Sequence, residues 1–198
     1  FNHDRLDAER SAIPSDIIAL WKTADDLWEQ KQNVAAFCSY ASADYVEVFH
    51  ALVKLQGEAT TFLELGSGLG IATIMASRLG FDAYGIEAKD DLVDYARDFA
   101  DEFAPEAQFA IGSFIPDAFE WNPSDGDESV RTFIDEPEAY AQFDLELTDF
   151  DLIYAYPWPT EHRLYQNVLN QFARPGAIFL TYDAREGIQV ACIGEPGP

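Results

Sequence analysis

The stretch Thr60-Thr61-Phe62-Leu63-Glu64-Leu65-Gly66-Ser67-Gly68-Leu69-Gly70, read on to Glu87, decides the fold of this chain. Residues 60–65 form a short apolar run suited to a buried parallel strand, and the glycines follow without a spacer, so the chain must turn sharply. Glycine is needed where φ is positive or where the backbone approaches a ligand, because a Cβ would strain the one and collide with the other. Beyond the turn Ile71, Ile74, Met75 and Leu79 recur at helical spacing. Gly80 stops that helix before a second strand, Phe81 to Ile86, which ends on Glu87.

A carboxylate at the tip of the next strand, about 20 residues on, is the usual partner of the ribose hydroxyls of an adenosine cofactor in such a unit. The dinucleotide fingerprint G-x-G-x-x-G/A does not close, since the register from Gly66 reaches Ile71 and the register from Gly68 reaches Thr73. What stands instead is acidic-x-G-x-G-x-G, with Glu64 before the first glycine. An anion beside the loop repels a pyrophosphate and attracts an ammonium or sulfonium. S-adenosylmethionine has both cations and no phosphate.

On Glu64-Leu-Gly-Ser-Gly-Leu-Gly70, Tyr84-Gly-Ile-Glu87 and Phe150-Asp-Leu-Ile-Tyr-Ala-Tyr-Pro157, the chain resembles the class I (Rossmann-like, seven-strand) S-adenosylmethionine-dependent methyltransferases from Thr60 to about Asp183. The resemblance implies an α/β three-layer sandwich with a mostly parallel sheet and an N-terminal helical extension. It implies S-adenosylmethionine as cofactor, with the Gly66, Ser67, Gly68 and Gly70 backbone along its methionine and ribose. Glu64 favours the cationic end, Glu87 holds the ribose, and Ala88 and Phe114 flank adenine. The family usually has an acidic residue for the adenine amino group after the third strand. Here that turn is Gly112-Ser113-Phe114, where the Ser113 hydroxyl bonds less strongly and Phe114 can stack.

The expected acceptor pocket lies at Tyr156-Pro157-Trp158-Pro159, after the fourth strand. Methyltransferases of planar amino groups resemble one another in carrying Asn or Asp, then Pro-Pro and an aromatic, at this place. Tyrosine in the polar position argues against N6-adenine or glutamine methylation. Prolines stiffen the backbone, so Tyr156 and Trp158 can form an aromatic wall for a cationic or planar acceptor, or simply a structural turn. The acidic field and this wall favour a protein lysine or small amine. A neutral small molecule, or a module that binds the cofactor without turnover, are the alternatives.

Asp and Glu number 36 against 12 Lys and Arg, a net charge of -24 that repels phosphate backbones and anionic lipids. The basic residues are scattered, so the sequence supplies no nucleic-acid face, and the acidity is read first as a solubility or salt adaptation. No apolar run reaches the roughly 18 residues that span a bilayer. A soluble, cytoplasmic protein is expected, of undetermined oligomeric state. Cys38 and Cys192 lack metal-ligand spacing, and no metal site is expected. The chain starts at Phe1 rather than Met, so its natural start is read as missing.

Residues 1–57 read as the helical extension and 58–198 as the cofactor-binding domain, with an acidic insertion at about 116–149. One amphipathic helix opens at Pro14-Ser15-Asp16. A second runs from about Ser42 to Gln56, with Tyr45, Val46, Phe49, Leu52 and Val53 on one face. Phe37, Tyr40 and Tyr45 line a lid or belong to the core. Further helices are expected at Lys89 to Phe103, around Ser129 to Tyr140, and after a Thr160 cap; further strands at Gln108 to Ile111, Phe150 to Tyr156, Ala177 to Thr181 and Gly187 to Ile193. Glu161 and His162 are either exposed or placed to take a proton from the acceptor. The insertion reads as a solvated loop or as a lure for a cationic acceptor.

Overall fold

The computed structural model describes residues 13–37, 40–120, 132 and 136–194. Cys38, His3 and half of the expected Ser129 to Tyr140 helix lie outside them. Helix α1 (Ser15–Lys31), a 3-10 turn (Ala35–Phe37) and helix α2 (Tyr45–Leu55) precede β1 (Thr61–Leu65). Then come α3 (Ile71–Arg78), β2 (Asp82–Glu87), α4 (Asp90–Phe103), β3 (Gln108–Ile111), β4 (Leu152–Ala155), α5 (His162–Phe172), β5 (Ile178–Asp183) and β6 (Gly187–Cys192).

The strands form one sheet in the order β3-β2-β1-β4-β5-β6. All neighbours are parallel except β5 and β6, which pair antiparallel from Ile178↔Cys192 to Asp183↔Gly187. Among the described residues the sheet has six strands, one fewer than the resemblance implies. The order reverses between β1 and β4, which opens the crevice where open α/β sheets bind ligands.

Alternation along the strands assigns the two faces. Phe62, Leu152, Phe109 and Leu180 enter a core shared with α1 to α4. Their neighbours Leu63, Ile153, Ala110 and Phe179 enter a second core with α5. Both faces of β4 are buried, as expected of a central parallel strand. The helical extension therefore shares its apolar core with the sheet, through Ile17, Leu20, Val48 and Leu52.

Several boundaries differ from expectation for local reasons. Helix α2 starts at Tyr45 because the Asp44 side chain accepts from the Val46 and Glu47 amides at 3.0 and 3.3 Å, a cap of about 1 kcal/mol. Its buried face carries Val48, Phe49, Ala51 and Leu52, whereas Val53 is exposed. Helix α5 begins after Glu161 rather than after a Thr160 cap. The acidic insertion is only partly a surface loop. Ser113 bridges to Glu138, and Ala139, Tyr140 and Leu147 are buried in the second core. Apolar residues spaced among the carboxylates anchor its C-terminal part, which composition alone conceals.

Candidate functional site

Gly66, Gly68 and Gly70 all have positive φ, at 74°, 53° and 72°. The Gly66 and Ser67 amides both donate to Ile86 O at 2.9 Å, which ties the turn to the end of β2. The three glycines serve different ends. A Cβ on Gly66 would meet nothing within 4 Å, so its open side faces space a ligand can use. A Cβ on Gly68 would lie 2.8 Å from the Tyr40 ring, and one on Gly70 2.5 Å from the Phe109 ring. Gly70 caps α3 and packs against β3; it does not line the cavity beside the turn.

Two carboxylates flank the turn. Glu87, on the last residue of β2, accepts from Gly68 N through Oε2 at 2.9 Å and from Lys89 N through Oε1 at 3.0 Å. Glu64, on β1, is only 7% exposed. Its Oε2 accepts from both Thr73 N at 2.9 Å and Thr73 Oγ1 at 2.6 Å. Burial pushes its carboxyl up to about 8, with the Thr73 hydrogen bonds opposing and Glu87 adding to the rise. Sequence reasoning read Glu64 as a fixed anion. The tertiary environment instead makes its charge conditional.

A cavity of about 350 Å³ lies over the C-terminal ends of β1, β2 and β4, in the size range of cofactor sites. Glu64, Gly66, Ser67, Gly68, Glu87, Ala88, Ser113 and Phe114 all line it, as do Tyr156 and Trp158. Ser67 Oγ is the one buried side-chain polar atom without a partner among the described residues. Ser113 Oγ already accepts from Ile115 N at 3.0 Å, and the Phe114 ring packs on Tyr165 with centroids 4.8 Å apart. Tyr156 stands edge-on to Tyr182, with ring centroids 5.0 Å apart.

The extension contributes Tyr40 and Tyr45, whose hydroxyls lie 2.7 Å apart at the cavity, whereas Phe37 is core. Glu161 is fully buried and accepts from Thr132 N and Oγ1, so it is neither exposed nor part of the cavity wall. His162 Nε2 lies 3.7 Å from Asp183 Oδ2, and Asp183 lines the cavity. Tyr154 and Arg185 also line it and were missed by sequence reasoning. Tyr154 reads as an ordinary strand residue, and Arg185 reaches the site only because the β5–β6 hairpin turns there. The ionisable acidic and basic lining residues, tyrosines aside, are thus Glu64, Glu87, Asp183 and Arg185. Among the described residues no group of three or more His, Cys, Asp or Glu is placed to hold a metal ion, and no helix is long and apolar enough to cross a membrane.

No protein-family model and no curated protein matches the chain. Solved structures do. An RNA methyltransferase from Salinibacter ruber, in complex with S-adenosyl-L-homocysteine, aligns with 80% of this chain and 97% of its own at a TM-score of 0.55 and 19% identity. A cofactor-bound protein from MTB aligns with 90% of this chain and 69% of its own at a TM-score of 0.53 and 16% identity. With the strand order, the glycine turn and the acidic tip of β2 in place, the chain has the fold of the class I S-adenosylmethionine-dependent methyltransferases.

Proposed function

We propose that the protein is an S-adenosylmethionine-dependent methyltransferase whose acceptor is a protein lysine or a small amine. The observation that carries the cofactor assignment is the placement of Gly66, the partnerless Ser67 Oγ and the Glu87 carboxylate on one cavity wall. The open face at Gly66 accommodates a close-lying ligand. Glu87 is at the position that bonds ribose hydroxyls, with Ala88, Ser113 and Phe114 beside it for the adenine. Glu87 and Asp183, with the ionisable Glu64, set against one guanidinium make the wall a poor seat for a diphosphate and a good one for a cation.

The bound cofactor supplies a methyl group already activated on a sulfonium, so the protein's own task is positioning. Tyr156 and Trp158, stiffened by Pro157 and Pro159, hold an alkylammonium or its neutral amine against aromatic faces. An amine must shed its proton before it attacks. That proton leaves to solvent, because the Arg185 and Glu186 amides hold the Asp183 carboxyl below its ordinary value and make it an anchor for the ammonium at the cavity rather than its base. RNA methylation is a property of the Salinibacter ruber protein; the acidic wall here favours a cation over a polyanion.

Titration calorimetry with S-adenosylhomocysteine and with NADH tests the cofactor, and labelled methyl transfer to lysine peptides and small amines tests the acceptor. Saturable binding of S-adenosylhomocysteine alone supports the proposal, and binding of NADH alone overturns it. Binding with no labelled product from any amine or neutral acceptor favours a non-catalytic module. Tyr156→Ala and Trp158→Ala are expected to lower transfer to an amine at least tenfold while leaving S-adenosylhomocysteine affinity within about twofold.

A further inference from the structure

Glu64 is a buried carboxylate on the wall of a ligand cavity, and its surroundings serve either protonation state. Thr73 Oγ1 lies 2.6 Å from Glu64 Oε2 and 3.5 Å from Tyr84 O. When Glu64 is ionised, the Thr73 hydroxyl donates to Oε2. When Glu64 is protonated, that hydroxyl can swing its hydrogen to the Tyr84 carbonyl and accept from the carboxyl, with the Thr73 amide keeping its bond to Oε2 at 2.9 Å. Oε1 takes no hydrogen bond among the described residues. It is the atom left for an incoming group.

Among the described residues no cation contributes to the shift of the Glu64 carboxyl. The titratable groups facing it are Glu87 from β2, Tyr154 from β4, Tyr40 from the capping segment and Tyr45 from α2. Each of these is neutral or negative. Tyr40 and Tyr45 pair with each other at 2.7 Å, and the buried Tyr154 lines the same cavity. Ionised Glu64 therefore lacks a counter-charge until a ligand brings one.

We propose that this cavity takes up the cation of its ligand in exchange for a proton on Glu64, with Tyr40, Tyr45 and Tyr154 forming the rest of that subsite. The ligand's cation at Oε1 takes over from the proton on Oε2 as the positive partner of the carboxylate, the Thr73 hydroxyl turns back to donate to Oε2, and the proton leaves to solvent. With the carboxyl held near 8, about nine-tenths of a proton is released per ligand bound at pH 7. This rests on the cofactor reading above, because the cation meant is the sulfonium or the α-ammonium of S-adenosylmethionine.

Calorimetry of the whole protein, at pH 7 in buffers of low and high ionisation enthalpy, counts protons released on binding. The three titrants are S-adenosylmethionine, S-adenosylhomocysteine and 5′-methylthioadenosine, carrying respectively both cations, the ammonium only and neither. Release with the first two but not the third assigns the subsite to the ammonium; release with the first alone assigns it to the sulfonium. Apparent affinity for a releasing ligand rises about tenfold from pH 6 to pH 7, and Glu64→Gln removes both the release and that rise. Should the variant not fold, the wild-type pH series and the 5′-methylthioadenosine control decide alone. Tight binding of S-adenosylmethionine with no proton release, or equal release with 5′-methylthioadenosine, overturns the exchange and leaves the cofactor reading intact. Absence of binding by all three overturns both.

Discussion

Gly70→Ala is the substitution whose cost the structure specifies most fully. Gly70 has φ of 72°, so any side chain there adopts a left-handed backbone at a cost of about 1–2 kcal/mol. The added methyl would also lie 2.5 Å from Cε1 and Cζ of Phe109 and 3.0 Å from the Ala96 Cβ. The Phe109 ring cannot simply slide aside, because it also fills the space left by Gly85, whose own Cβ would meet it at 2.8 Å. Overpacking of this kind costs about 1–3 kcal/mol, which brings the total to about 2–5 kcal/mol. That is a large share of a typical 5–15 kcal/mol stability and a fall in Tm of about 4–20 °C. Gly66→Ala is the internal control, since it carries the same backbone strain at φ of 74° with nothing within 4 Å of its Cβ. Urea denaturation should therefore show Gly70→Ala less stable than Gly66→Ala by about 1–3 kcal/mol, with Phe109→Leu recovering part of the loss in the Gly70→Ala background. Equal losses for the two glycines, or no recovery, would refute the argument from packing.

Other outcomes follow from the same geometry. Partial burial raises the Asp151 carboxyl, but the Thr60 and Thr61 amides and Arg174 outweigh it and hold the group below its ordinary value. A depressed carboxylate stabilises the fold above its unfolded pKa and loses that effect as pH falls through the folded value; the Tm gap between wild type and Asp151→Asn should therefore narrow on acidification below about pH 4. Glu64 has the opposite sign. Its raised carboxyl means that ligand-free protein loses stability as pH climbs from about 4.5 towards 8, and a Glu64→Gln variant that falls just as steeply would contradict this. Raising salt from 0.1 to 1 M shortens the screening length from about 10 to 3 Å, so with a net charge of -24 the Tm should rise. A flat or falling Tm would remove self-repulsion as a major term.

The order of elements from β1 to β5 was legible in the sequence because it rests on local signals. Apolar runs bounded by glycines, helical spacing and the acid at the tip of β2 each need only near neighbours to be read, and the backbone obeys them. The positions of Tyr156 and Trp158 at a crevice follow from the rule for parallel sheets, which needs topology but no side-chain detail. Long-range contacts decided the rest. Glu161, two-valued in the sequence, is buried because Thr132 comes from far along the chain to occupy it. Tyr154 and Arg185 join the site only through strand pairing and the β5–β6 hairpin. The sequence by itself determined that Glu64 stands beside a glycine turn. Whether that carboxyl carries charge depends on burial beneath the capping tyrosines and on Thr73, which are desolvation and hydrogen-bond effects that exist only once the sheet and its cap have come together.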